Sequence, residues 1–333
     1  MSKTTIQDVA REAGTSASTV SRVLTGNAPV NSETRTAVEA AIERLGFHPS
    51  HAARSLRTRS THTISLLIND ITNPFYSAIA KGVEEEANRR GYSLILCNTN
   101  DDPARERQYL DVLRSKQVDG MIFGPTGYNI ELIRSLITRM PLVLVDRMLE
   151  AISATAIVAD NEGGAYSATN ILIEKGHRRI GVLMWEEEIS TLTERLSGVS
   201  QALTEIGLKV DPSLVLRVPR TNPKEIAGLV AQWLTEISPR PTVLFALNNQ
   251  LGLGAMHAFH TMRVSVPGEM GLMVFDDLDI FELTNPPISA VAQPAFAMGR
   301  RAMQVLTRRI EHSGSATPTV TVMPTQVIMR GSV

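Results

Sequence analysis

The sequence predicts an all-α helix-turn-helix headpiece followed by an α/β body of two doubly wound lobes. Three observations carry this. Residues 6 to 45 read as three or four short helices, with Gly14 and Gly26 as stops. From residue 62 the grammar changes to short β-branched runs alternating with amphipathic stretches, the pattern of parallel strands joined by helical crossovers. That pattern restarts after Gly176. Ile64 to Gly91 and Ile180 to Gly207 each run strand, loop, helix and stop over the same span, and one offset also matches Leu67 with Leu183 and Gly82 with Gly198. Two such lobes place a ligand in the crevice at the carboxyl ends of their strands.

In order along the chain, helices are expected over Ile6 to Ala13, Ala17 to Leu24 and Ser32 to Leu45, with Ser32 capping the third in "SETR". Within "IQDVAREAGTSASTVSRVL", Val9, Ala10, Ala13, Val20, Val23 and Leu24 form a small core between helices joined at Gly14. Thr15, Ser16, Ala17, Ser18, Thr19, Ser21 and Arg22 then face outward. A helix that enters a major groove about 12 Å wide needs small residues for approach, hydroxyls and N-terminal amides for phosphates, and a long donor for base edges. A plain helical hairpin whose serines are caps is the alternative. "FHPSHAARSLRTRSTH", Phe47 to His62, reads as a linker. The body follows with "TISLLIN", "FYSAIAKGVEEEANRRG", "YSLILCN", "PARERQYLDVLRSKQ", "DGMIFG", "LIRSLITR" and "PLVLVD".

Composition limits the function classes. A chain of 333 residues, 43% hydrophobic and 20% charged, is an ordinary globular protein with room for two or three cores. The start "MSKTTIQDVAREAG" lacks the apolar stretch of a signal peptide, and no run reaches the roughly 18 apolar residues of a membrane span, so a cytoplasmic location is expected. The single cysteine, Cys97, lies in an apolar run and reads as a buried, reduced thiol. Net charge is −1, yet residues 1 to 60 carry eight Lys and Arg against five Asp and Glu, while the remainder carries 25 against 29. A basic module ahead of an acidic body points towards nucleic acid. There is no P-loop, no G-x-S-x-G, no metal-ligand cluster and no dinucleotide fingerprint, so neither an enzyme nor a metal or cofactor is expected. His177 follows the helix-ending Gly176, a capping environment.

The stretch "TIQDVAREAGTSASTVSRVLTGNAPVNSETRTAVEAAIERLGFHPSHAARSLRT" resembles the N-terminal module of the LacI/GalR family of transcription regulators. The likeness runs on through "DITNPFYSAIAKGVEEEANRRGYSLILCNT", "QVDGMIFGP", "VADNEGGAYSATNILIEKGHRRIGVL", "RPTVLFALNNQLGLGAM" and "QPAFAMGRRAMQVL" to "MRGSV", covering essentially the whole chain. It implies a headpiece over 1–46, a hinge over 47–60, one lobe from 61–161 and 292–323, and a second from 162–291 and 324–333. The body is then similar to periplasmic sugar-binding proteins. For DNA the resemblance implies that Ala17 and Ser18 open the recognition helix and that Arg22 contacts bases. Thr5, Ser16, Thr19, Ser21, Asn27, Thr34 and His48 stand where phosphate or groove contacts are expected, with capping as the alternative for each. "PSHAARSL" resembles a hinge helix whose Leu56, beside Ala53, wedges the minor groove of double-stranded operator DNA. Ser50 stands where the family commonly has asparagine.

Candidate effector residues lie where strands end: Asp70, Phe75, Asp146, Asp160, Trp185, Arg195, Asn248, Asp276 and Gln293. Carboxylates, Arg and Asn around aromatic faces suit adjacent sugar hydroxyls. Helix capping for each Asp and core packing for each aromatic are the alternatives. Two departures from the family pattern stand out: Asn249 replaces a carboxylate at the rim, and Val274 replaces a glycine and adds bulk under the pocket. "WEEE", Trp185 to Glu188, adds negative charge near the cleft mouth, which disfavours a phosphorylated ligand. The resulting expectation is a homodimeric repressor, favoured over a tetramer because no heptad segment follows "MRGSV", whose operator affinity responds to a carbohydrate or polyol. A sugar-sensing binding protein without DNA regulation, or a regulator answering to a nucleobase or a phosphoprotein, remains open.

Overall fold

The structure is a computed structural model, and it describes residues 4–25, 29–47, 60–312 and 317–333. The chain divides into two compact units, Met1–Thr61 and His62–Val333.

The first unit holds α1 (Ile6–Glu12), α2 (Ala17–Thr25) and α3 (Ser32–Arg44). Thr5 caps α1 in a reciprocal box, its hydroxyl accepting from the Asp8 amide and the Asp8 carboxylate accepting from the Thr5 amide at 3.0 Å. Gly14, at φ +59°, makes the left-handed turn that sends the chain into α2. The third cap differs from expectation. Asn31 rather than Ser32 closes α3, its side-chain oxygen accepting from the Thr34 amide at 2.7 Å, so Ser32 is already the first helical residue. Val9, Ala10 and Val20 are buried as predicted, while Ala13, Val23 and Leu24 pack at the edge. The core is completed by Val38, Ala41 and Phe47, so three helices rather than two enclose it.

The second unit contains two six-stranded sheets. The first is built from β1 (Thr63–Ile68), α4 (Pro74–Arg89), β2 (Ser93–Asn98), α5 (Pro103–Lys116), β3 (Gly120–Phe123), α6 (Ile130–Ile137), β4 (Leu142–Val145) and β5 (Thr155–Ala159). The second follows with α7 (Asn161–Glu174), β6 (Ile180–Trp185), α8 (Ser190–Glu205), β7 (Val215–Val218), α9 (Pro223–Glu236), β8 (Val243–Ala246), α10 (Asn249–Met262), β9 (Gly271–Phe275), α11 (Asp279–Glu282) and β10 (Ser289–Ala292). The chain then returns through α12 (Ala295–Glu311) to β11 (Val320–Met323), which pairs parallel with β5, and ends with β12 (Gln326–Ile328), which pairs antiparallel with β10. The strand orders, β11-β5-β4-β3-β1-β2 and β12-β10-β9-β8-β6-β7, are the same order repeated. The three crossings between sheets, after β5, after β10 and between β11 and β12, all lie towards one edge of each sheet, leaving β2 and β7 at the far edges.

Strands buried on both faces alternate between two cores, Ile64, Leu66 and Ile68 facing one and Leu67 the other with Met121 and Phe123. Cys97 is buried in the latter, and burial pushes its thiol pKa up. The duplication read from sequence is structural: α4 and α8 occupy corresponding spans, and Gly91 and Gly207 follow them at φ +73° and +75°. Gly82 and Gly198 serve matching crossings. A Cβ on Gly82 strikes the Phe296 carbonyl of α12, and one on Gly198 strikes the Glu162 carbonyl of α7, so glycine lets each helix pair approach to backbone contact. No helix among the described residues is long and apolar enough to cross a membrane.

Candidate effector cleft and DNA-reading surface

The carboxyl ends of the two sheets face each other across a cleft with a cavity volume of about 70 Å³. Asp146 and Asp276 directly follow β4 and β9, equivalent strands of the two sheets, and both hold left-handed backbone at φ +69° and +75°. That conformation is uncommon for a side-chain-bearing residue, though more accessible to Asp than to most.

On the second-sheet side, Asp276 is a hub. Its carboxylate accepts from the Gln293 amide at 2.5 Å, the Asn249 backbone amide at 3.3 Å and the Asn248 side chain at 3.4 Å, and it lies 4.0 Å from Arg195. Arg195 is 3% exposed, and its guanidinium lies over the Phe275 ring at 3.8 Å and donates to the Leu247 carbonyl at 2.7 Å and to Asn161 at 2.9 Å. On the first-sheet side, Tyr76 donates to Asp146 at 2.8 Å, and Arg147 grips Asp101 with two bonds of 2.6 and 3.0 Å.

These environments separate Asp146 from Asp101. Burial raises the Asp146 pKa, against the pull of Arg147, Arg195 and the Tyr76 hydroxyl, and Asp276 adds to the rise. Burial acts on Asp101 in the same direction, but there Arg147, Arg220 and the Asn69 amide outweigh it and hold its pKa below the usual range. Burial likewise pulls Arg147 down, and the negative groups around it reverse the effect, so its pKa is raised. Among the described residues, Gln293 Oε1 is buried without a hydrogen-bond partner, and Arg147 Nε makes no hydrogen bond but lies 3.7 Å from the Asp146 carboxylate.

Of the residues singled out from sequence, Asp70, Phe75, Asp146, Trp185, Arg195, Asn248, Asp276 and Gln293 line this cleft. Asp70 also accepts from the Thr72 amide and hydroxyl, and Asn248 caps α10 through the Gln250 amide. Asp160 is not in the lining. It caps α7, accepting from the Gly163 amide at 2.9 Å, so for this Asp the capping alternative applies. Val274 is buried with its methyl groups against Gly252 of α10, and it is not among the residues that line the cleft. Asn249 has a role that a carboxylate cannot fill, donating to Asn73 at 2.8 Å and accepting from it at 3.3 Å across the cleft. His177 bonds Thr242 through Nδ1 at 2.8 Å, and burial lowers its pKa.

Sequence reading missed Asn73, Tyr76, Asp101, Arg147, Thr191, Gln250 and Arg220 in the lining. A signal existed for two of them. Tyr76 lies one residue after Phe75, and Arg147 one after Asp146 in "VLVDR".

In the first unit Ser16, Ser18 and Arg22 are exposed, and Ala17, Thr19 and Ser21 are half-buried. Ser16 Oγ accepts from the Thr19 amide at 3.2 Å and lies within hydrogen-bond distance of the Ser18 and Thr19 hydroxyls, so it caps the helix it was expected to help dock. Thr5 is exposed and Thr34 half-buried at the caps already described. Asn27, His48, Ala53 and Leu56 lie outside the described residues, as does Ser50.

A helix-turn-helix module joined to a two-sheet body with a polar cleft defines the class of ligand-responsive transcription regulators. Residues 5–50 match the bacterial regulatory proteins of the lacI family, and residues 169–333 match the periplasmic binding protein-like domain. The chain is 34% identical to the HTH-type transcriptional repressor PurR of Vibrio atlanticus (strain LGP32), covering 92% of each chain. It is 32% identical to the ribose operon repressor of Haemophilus influenzae (strain ATCC 51907 / DSM 11121 / KW20 / Rd), covering 97% of each. Among solved structures, the complex of the transcriptional regulator CelR with cellobiose superposes with a TM-score of 0.74 at 28% identity, over 99% of this chain and 100% of that one. The chain belongs to the lacI family of bacterial regulatory proteins.

Proposed function

We propose that this protein is a cytoplasmic repressor that binds operator DNA as a homodimer and changes operator affinity when a small neutral carbohydrate or polyol occupies the cleft. The pairing of Asp146 and Asp276 on opposite walls, with Gln293 and Arg147 beside them in the lining, carries the ligand class. Carboxylates accept from hydroxyls, the arginine donates, and Phe75 and Trp185 offer apolar faces. Four lining Asp residues against three Arg residues leave the wall net negative, which disfavours an anionic ligand. A disaccharide occupies the similar CelR structure.

The lobes are taken as 61–161 with 292–323 and 162–291 with 324–333. A ligand that touches both walls can shift their closure only by its differential affinity for the two states, typically about 1–3 kcal/mol of coupling. The test is a thermal-shift panel of neutral sugars, polyols, sugar phosphates and nucleobases on the full chain, followed by operator titration with each hit. Stabilisation by a polyol that also moves operator affinity supports the reading. Stabilisation by nucleobases or sugar phosphates alone overturns the ligand class.

On DNA, a two-fold dimer presents two recognition helices to major grooves about one helical turn apart. Arg22→Ala is expected to weaken each half-site by about 1–3 kcal/mol and to relax base preference, as selection from a randomised operator library reads directly. An unchanged preference profile removes Arg22 as the base reader. Leu56→Ala is expected to weaken specific binding and reduce bending, with ligand binding by the body unaffected. Full bending by this variant in a circular-permutation gel assay overturns the wedge.

A further inference from the structure

We infer that Arg220 and Asp101 form a detachable latch that opposes opening of the cleft. Arg220 follows β7 and Asp101 follows β2, corresponding loops of the two sheets, and their side chains meet at 2.6 Å. Both loops lie at the sheet edges farthest from the three chain crossings. If the lobes hinge about those crossings, separation is greatest at this edge, so a contact here opposes opening with the longest lever arm.

The pairing on each side makes the contact reversible. Asp101 is 8% exposed and remains held by both Arg147 bonds and by the Asn69 amide at 2.5 Å, all from its own lobe. Arg220 is 36% exposed, lies 5.5 Å from the Trp185 ring and reaches Glu187 at 3.8 Å, both from its own lobe. Opening therefore breaks the bridge without leaving a buried charge unpaired, which is the large penalty in most buried ion pairs. The Asn73–Asn249 amide pair is a second cross-cleft contact nearer the centre of the sheets, and being neutral it too is exchanged for water at small net cost. The latch thereby biases the chain towards closure, and a ligand protruding past Arg220 must displace it.

The test needs no ligand, so its failure bears on the latch alone and leaves the effector reading standing. Spin labels are placed at Gln108 on α5 and Lys224 on α9, both exposed, in a full-length Cys97→Ser background, and the distance distribution is measured by pulsed electron resonance. One narrow, short distance is expected with Arg220 present. A longer, broader distribution is expected for Arg220→Ala, and at least as long for Arg220→Glu. Thermal melts confirm that each variant is folded. A distribution for folded Arg220→Ala that matches the parent overturns the latch, whatever the other variants do.

Discussion

Replacing Arg195 by alanine is expected to abolish the response to effector while operator binding without effector persists. Arg195 bridges the Leu247 carbonyl, Asn161 and the Phe275 ring beside Asp276, so its removal leaves a buried carbonyl and amide oxygen without their donor and one wall of the cleft reshaped. Loss of one partner from a buried charged network typically lowers stability by about 3–5 kcal/mol. For a unit of this size that corresponds to a fall in melting temperature of about 6–20 °C. The headpiece has its own core of Val9, Val20, Val38 and Phe47, so reading of DNA does not depend on that wall. Operator titrations with and without a confirmed effector check the functional half, and Asp276→Ala provides the matching loss on the same wall. A confirmed effector that moved operator affinity by the same factor in Arg195→Ala, Asp276→Ala and parent proteins is the result that removes the cleft mechanism.

Gly198→Ala is expected to have the second large effect. Its added methyl meets the Glu162 carbonyl and the Tyr166 amide of α7, backbone atoms that no rotamer change can move aside. Overpacking of this kind lowers stability by about 1–3 kcal/mol or more, partly because α7 must shift and its neighbour Asn161 holds Arg195. Gly82→Ala meets the Phe296 carbonyl and Arg300 amide in the same way at the first-lobe crossing. Both variants are expected to melt lower than Gly228→Ala, a helical glycine whose added methyl meets nothing within contact distance. Equal melting temperatures across the three count against backbone contact as the reason for glycine at these crossings.

The two glycines also show what could be read in advance. A single offset linked Gly82 to Gly198 and Ile64–Gly91 to Ile180–Gly207, and the helices and closing turns fall at that offset because each lobe repeats one strand-helix packing problem. Asp146, Arg195 and Asp276 were legible because strand ends in open α/β sheets project into the crevice. Asp160 reads identically in sequence, at the end of β5, yet its carboxylate turns back onto the Gly163 amide. Ser32 reads as a cap as well as Asn31 does, and only the backbone conformation distinguishes them.

The sequence by itself determined the helix-turn-helix, the two lobes and most of the polar residues at the strand ends, since these follow from hydrophobic period, stop signals and local spacing. Tertiary structure alone decided which of those polar groups meet. Arg220 and Asp101 stand 119 positions apart, and Asn73 and Asn249 stand 176 apart. No local pattern marks either pair, because what joins them is the chain crossing from one sheet to the other after β5, which brings together two loop sets that belong to separate cores.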